Sequence, residues 1–385
     1  MPNTDQSQRA TMDWSTTFRP PQLPDLTGLL DALRGEAGDD AGGRPSDTAL
    51  AALRGSGLLR LPVPVEYGGL GASWRDVNAA ITSLARVDAS MGIILFLHHA
   101  AVSRVIDWGS EKQKKRCLTA ITRDGQIFAS SWSEPGAGAA KQHIATTATA
   151  RADGGWDLSG AKTFTTGAGV ADLYLILART GDSGPATGSY GQTNQGIFVV
   201  EAAGAGFEVD GVLDLAGMRR SATGLIRLDA YAAGPGDMLA RSADTPTVIG
   251  HPHVLGLTLG AVALGVAETA HDLALEAARR RSLVDSPLYR HLLFELGSRL
   301  AAVRGVVDAA TRADGDRTVP ALTAKVFASE TAETICRGAQ EIAGSAAFSR
   351  THPLNRLAQD ARAVTLMGPP NYLCRELVTS GLGTS

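Results

Sequence analysis

A chain of 385 residues, 44% hydrophobic and 19% charged, is long enough for roughly two to three domain-equivalents and too apolar to be an interaction tail or a disordered segment. Its 36 basic and 39 acidic residues leave a formal charge of -3, which offers no whole-molecule field to nucleic acid or an anionic membrane. The three cysteines, Cys117, Cys336 and Cys374, fall in no disulfide or metal-ligand spacing, and the polar start MPNTDQSQRATMDW lacks an apolar h-region. The expectation is a cytoplasmic protein without a metal site.

Residues 1 to about 20 read as a mobile tail ahead of a helical region running to about residue 127. Leu26, Leu29, Leu30 and Leu33 share one helix face, and Ser46 is placed to cap a second helix carrying Leu50 and Leu53. The stretch Leu61-Pro-Val-Pro-Val-Glu-Tyr-Gly-Gly-Leu-Gly71 cannot stay helical and predicts a shaped loop. Helical spacing resumes at Val77, Ile81, Leu84 and Val87 and continues through Met91 to Val105. Lys112-Gln-Lys-Lys-Arg116 is a basic run, read as a solvated helix face or as a dock for phosphopantetheine or an acidic carrier protein.

Residues 128–242 break into short strand-like runs: Thr146 to Arg151, Trp156 to Leu158, Leu173 to Leu177, Gly196 to Val200 and Leu225 to Leu228. An Asp153-Gly-Gly turn lies between the first two, which predicts an antiparallel barrel or sandwich. From 243 to 385 the chain is helical again, in segments His253 to Arg281, Pro287 to Thr311 and Pro320 to Ile342. The longest apolar run, Val254 to Ala267, is short of the roughly 20 residues a membrane span needs and reads as a buried helix.

Within this order helical, β, helical, four motifs stand in sequence: Glu66-Tyr-Gly-Gly-Leu-Gly71, Ser133-Glu-Pro-Gly-Ala-Gly138, Lys162-Thr-Phe-Thr-Thr-Gly167 and Gly217-Met-Arg-Arg-Ser221. Together they resemble the acyl-CoA dehydrogenase superfamily over most of the chain. The resemblance implies an α+β multidomain fold with an N-terminal helical domain (1–127), a central β-barrel (128–242) and a C-terminal four-helix bundle (243–385) forming a dimer or tetramer. It also implies FAD between barrel and bundle, with Ser133, Thr165 and Thr166 beside the ring and Trp132 and Phe164 walling it. These threonines also fit ordinary strand positions. Arg281, in Arg-Ser-Leu-Val-Asp-Ser-Pro287, matches the family arginine that reaches a neighbouring subunit's pyrophosphate, although it also suits a helix end. Gln340 and Gly344 fall in the segment that packs on the cofactor. Gly138, Arg219 and His99 are implied on the substrate side.

The resemblance breaks at the base. The family glutamate that removes the substrate α-proton aligns with Gly368, and the alternative position on the earlier helix aligns with Leu255. Three readings follow. One is a dehydrogenase of an acyl thioester, carried by CoA or an acyl carrier protein, with a displaced base, His98 first, otherwise His99 or a carboxylate elsewhere, and an electron acceptor not identified by the sequence. The second is a flavin monooxygenase (N-, S- or C-hydroxylating), needing no α-proton base but a source of reduced flavin such as a reductase. The third is a flavoprotein that holds a shape without turnover.

Overall fold

The structure, a computed structural model, describes residues 23–36, 41–137, 141–181, 194–240 and 242–380. The expected tail at 1–20 lies outside them. In the N-terminal part, α1 (Thr27–Gly35), α2 (Asp47–Gly55), α3 (Trp74–Val87), α4 (Ala89–Trp108) and α5 (Glu111–Asp124) form in the places the spacing requires. Ser46 caps α2 by accepting from the Ala49 amide at 3.1 Å, and Ser73 and Ser110 cap α3 and α5. The 61–71 segment is bends and turns around a single 3-10 turn, Val65–Tyr67. In the basic run Lys114 pairs with Glu111 and Arg116 with Asp237, at 3.1 and 2.7 Å.

α4 is 20 residues long and apolar enough to cross a membrane, but most of it is buried inside the molecule. Asp88 starts it by accepting from the Ser90 and Met91 amides. Its neighbours come unusually close: a Cβ on Gly92 would lie 2.7 Å from the Cβ of Ala85 on α3.

Eight strands, β1 (Phe128–Ser131), β2 (Thr147–Ala150), β3 (Trp156–Thr165), β4 (Leu173–Arg179), β5 (Gln195–Glu201), β6 (Phe207–Val212), β7 (Gly224–Ala233) and β8 (Met238–Ala240), make one sheet. Neighbours pair in the order β6-β7-β3-β2-β4-β5-β8. The expected antiparallel pattern needs one correction, because β1 pairs with β4 in parallel, Phe128 opposite Leu173, and β2 touches β4 in parallel at Thr147 and Arg179. Strand β6 carries no clean alternation: Gly211 interrupts it at a register shift against β7, and most of its residues are exposed. Strands β4 and β5 are buried on nearly every residue, as continuous apolar runs covered on both faces should be.

The C-terminal part holds α6 (Thr245–Val254), α7 (Gly260–Arg280), α8 (Pro287–Arg312), α9 (Thr318–Ala343), α10 (Pro353–Leu366) and α11 (Asn371–Thr379). Helices α7 to α10 pack as a bundle around α9. The single helix expected from His253 to Arg281 is two. Gly256 adopts φ +80°, and a Cβ there would stand 2.2 Å from the Ala310 carbonyl oxygen, so the chain turns between α6 and α7.

Polar ties hold the three parts together. Arg54 of α2 donates to Asp172 at 2.7 Å and to the Gly125 and Val170 carbonyls. Asn78 of α3 donates to the Gly256 carbonyl at 3.0 Å, and Thr82 to that of Ala261 at 3.0 Å. The Met218 amide donates to Asp360 of α10 at 2.6 Å, which docks the β6–β7 connection on the bundle.

Helices α3 and α7 touch backbone to backbone at Gly265, where an added Cβ would lie 2.6 Å from the Thr82 oxygen and 2.7 Å from the Ala85 Cβ. Gly265→Ala is therefore expected to destabilise the protein by about 1–3 kcal/mol, read as a lower denaturant midpoint at unchanged slope.

Candidate active site

The site's wall begins with a buried ion pair. The Lys162 ammonium on β3, fully buried, donates to Glu134 at 2.6 Å, and Glu134 is itself 3% exposed. The remaining lone pairs of the carboxylate accept from the Ala145 and Thr146 amides. Burial pushes the Lys162 ammonium down to about 8 against the pull of Glu134. Burial also opposes the Glu134 carboxylate, but the Lys162 charge and the hydrogen bonds outweigh it and lower its pKa. Both groups are therefore charged near neutral pH. The pair, with the Thr163 amide donating to the Ser133 carbonyl at 2.9 Å, sets residues 131–134 beside 163–166.

This juxtaposition brings Trp132, Ser133, Phe164 and Thr166 together. Phe164 sits at φ +50°, strained for a bulky residue, and its ring is 63% exposed on the sheet's surface. Trp132 and Ser133 are half-buried. The Thr166 hydroxyl heads a short chain through Thr223 (3.1 Å) to Ser221 (2.7 Å). Thr165 is a correction: the register shift against β7 between Lys162 and Thr165 turns it inward, where its hydroxyl bonds Ser131 and 1% of it is exposed. It does not face a ring lying on this wall.

On the bundle side, Arg281 donates to the Ile342 carbonyl at 2.8 Å and lies against Gly344, where a Cβ would come within 3.1 Å of its Nη1. Gly344, at φ +76°, thus leaves room for the guanidinium that a side chain would take. Gln340 is turned to the start of α10, donating to Asn355 at 2.9 Å. Its amide nitrogen also reaches the Leu354 carbonyl at 3.4 Å, which braces the start of that helix. An exposed aromatic beside hydroxyls, with an accessible guanidinium on the bundle, is a donor set that fits a flat heteroaromatic cofactor with a pyrophosphate.

Helix α4 contributes three polar side chains on three faces, roughly 100–140° apart. His98 accepts from the Phe128 amide at Nδ1 (3.0 Å) and its Nε2 bonds the Leu59 carbonyl (2.8 Å). Burial holds it down to about 4. Both ring nitrogens are consumed in joining α4 to β1, so the expectation that His98 is the base is corrected: it has no lone pair left for a substrate proton. His99, fully buried, faces the α3 side with Gly92, and neither of its ring nitrogens has a partner among the described residues. Burial keeps its pKa well below the usual histidine value. Its ring packs edge-on against that of His98, centres 5.1 Å apart.

Arg104, on the third face, was not singled out by the sequence reading, although a lone cation in an apolar helix is a signal. It donates to the carbonyls of Val248 (2.8 Å), Ile249 (2.7 Å) and Ala100 (2.8 Å), and its guanidinium carbon stands 5.3 Å from the Trp132 ring centre. Near it stand His253, at the end of α6, and Lys141, both more than nine-tenths buried.

The turn carrying Gly368 is held by Lys325 of α9, whose ammonium donates to the carbonyls of Pro369 (2.7 Å) and Met367 (3.2 Å) and to Asn371 (2.7 Å). Gly368 is exposed, and a Cβ there would meet nothing within 4 Å. Arg219 is exposed and lies 4.0 Å from Asp214, away from this turn's partners. The neighbouring Arg220 is the buried member of its motif, paired with Asp88 and Glu36. Gly138 lies outside the described residues.

Family models described as the acyl-CoA dehydrogenase N-terminal, middle and C-terminal domains match residues 34–124, 129–231 and 255–382. The 3-sulfinopropanoyl-CoA desulfinase of Paraburkholderia xenovorans is 31% identical over 346 residues, 86% of each chain. Among solved structures, butyryl-CoA dehydrogenase from Megasphaera elsdenii superposes with a TM-score of 0.82 at 24% identity, covering 94% of this chain and 100% of that one. Dibenzothiophene monooxygenase from Paenibacillus sp. A11-2 does so with 0.78 at 24% identity, covering 93% and 96%.

Lys162→Met should strand the Glu134 carboxylate in the wall with only backbone amides. A loss of about 3–5 kcal/mol is expected, measured by chemical denaturation, with Glu134→Gln/Lys162→Met losing less than Lys162→Met alone.

Proposed function

The chain belongs to the acyl-CoA dehydrogenase family, and on that premise we propose that it is a flavin-dependent oxidoreductase that oxidises an acyl thioester. The observation that carries this reading is the wall on which Phe164 and Trp132 stand beside Ser133 and Thr166, set by the Glu134–Lys162 pair. FAD bound there supplies a hydride acceptor. The chain's own part is to hold the ring against the aromatic side chains, to donate hydroxyls to its polar edge from Ser133 and Thr166, and to offer Arg281 to a pyrophosphate. The desulfinase relative is named for a CoA thioester, which supports the same substrate class here. Exposed Phe348, Leu288, Phe294, Leu366 and Tyr372 on the C-terminal helices support a homo-oligomer in which a second copy covers them.

The turn at Gly368 offers no carboxylate to take an α-proton, and His98 is spent on backbone. That observation keeps a second reading, a monooxygenase on the same fold, in view. Mixing the yellow holoprotein anaerobically with acyl-CoA and acyl-carrier-protein thioesters separates the two. Bleaching of the flavin band by a thioester is expected for a dehydrogenase. No bleaching by any thioester, with product hydroxylation once reduced flavin and oxygen are supplied, would establish the monooxygenase.

Because a side chain at Gly368 meets open space, Gly368→Glu should fold and raise dehydrogenation of short acyl-CoAs by about 10²-fold or more, the range of a positioned general base. Steady-state rates with a dye acceptor measure it, and an unchanged rate would point to a base elsewhere. Arg281→Glu should yield folded protein depleted of flavin, seen as loss of visible absorbance with unchanged far-ultraviolet circular dichroism; full retention of colour would count against its cofactor role.

A further inference from the structure

Behind the aromatic wall, a buried row of three hydroxyls ends on Thr166. Its Oγ1 stands 3.1 Å from Thr223 Oγ1, which stands 2.7 Å from Ser221 Oγ. Ser221 is 0%, Thr223 5% and Thr166 7% exposed, so accessibility rises along the row toward the wall. The turn that carries the inner two is fastened on both sides: the Gly167 amide donates to the Ser221 carbonyl at 3.0 Å, and the Ala222 amide to the Gly43 carbonyl at 2.9 Å. Ala222 sits at φ +48°, a conformation that costs a residue with a Cβ. Ser221 and Thr223 flank this kink. On an extended chain they would stand about 6.6 Å apart; the kinked turn holds their hydroxyls at hydrogen-bond distance.

Proton counting gives the row a direction. Three hydroxyls carry three protons, and the two contacts between them use two, so one proton is left over. If Thr166 donates inward to Thr223, the leftover proton belongs to Ser221 or to Thr223. Both are buried, and neither has a further acceptor among the described residues. A buried O–H left in that way loses its hydration without return. If instead Ser221 donates to Thr223 and Thr223 to Thr166, every inner proton is used. The leftover proton is then that of Thr166, at the wall.

Resting on the flavin reading above, we propose that Ser221 and Thr223 are positioning residues that hold the Thr166 hydroxyl as an outward donor to the flavin and so raise its tendency to be reduced. A hydroxyl that accepts from behind is polarised to donate more strongly ahead. Hydride uptake brings negative charge to a flavin ring, and a donor already set toward it answers that charge without reorienting. Neither inner residue needs to touch the cofactor. Their effect passes through the one hydroxyl at which the row opens.

The test poises the holoprotein anaerobically against a reference dye and reads the ratio of reduced to oxidised bound flavin at a fixed dye potential. Ser221→Ala and Thr223→Val are each expected to lower that ratio about threefold or more, within the range of a single hydrogen bond. Thr223→Ser, which keeps the hydroxyl, should hold the ratio of the unsubstituted protein. Beside Thr166→Val, where the row has no outlet, the first two substitutions should change the ratio by less than about twofold. Ratios unaltered in both single variants, effects that persist undiminished beside Thr166→Val, or a Thr223→Ser ratio as low as that of Thr223→Val would overturn the proposal while leaving the flavin reading standing. A protein that holds no flavin even after reconstitution would overturn that reading, and this proposal with it.

Discussion

The Glu134–Lys162 ion pair is the constraint on which the site depends. Two charges without water are tolerated only when each is fully answered, and here the carboxylate takes the ammonium and two backbone amides. The result is positional. A turn that follows β1 is fastened to the middle of β3, and the aromatic and hydroxyl side chains on either side of the fastening come to share one surface. Phe164, held at a positive φ with most of its ring exposed, makes physical sense only as part of such a surface, since burying it elsewhere in the sheet would relieve both the strain and the exposure.

Helix α4 distributes its polar side chains with similar economy. His98 is spent on two backbone groups and joins the helical domain to the sheet; Arg104 is directed at α6 and Trp132; His99 is left among apolar neighbours as a neutral ring. The same residue type thus serves opposite purposes one position apart, because adjacent residues on a helix face different elements. Apolar burial drives the helix inward, and the few polar groups it carries must then find partners where the packing places them.

The turn at Gly368 is rigidly held yet chemically bare. Lys325 supplies donors to its carbonyls and to Asn371, while the glycine itself opens on empty space. Scaffold and catalyst are separable there: the support for the turn persists without a carboxylate. Two other buried cations, Arg104 and Lys141, lie outside that turn.

Much of this was legible from the residues. Helical periodicity, the Ser46 cap, the apolar runs of β4 and β5 and the order of four motifs are local features, each decided by a few neighbouring residues, and they were sufficient for the architecture. The break at Gly256, the parallel pairing of β1 and the weak edge strand β6 were not, because each is decided by a contact distant in sequence: the Ala310 carbonyl, β4 and β7. The same division runs through the site. A motif names Thr165 and Thr166 alike, but only the register shift between β3 and β7 turns one inward to Ser131; a pair of histidines looks like chemistry until the backbone of Leu59 and Phe128 claims one of them. Sequence by itself determined the order of the elements and which residue types fall in the motifs. Only tertiary structure decided which of their atoms remain available, because hydrogen-bonding capacity is settled by the partners that folding brings within about 3 Å.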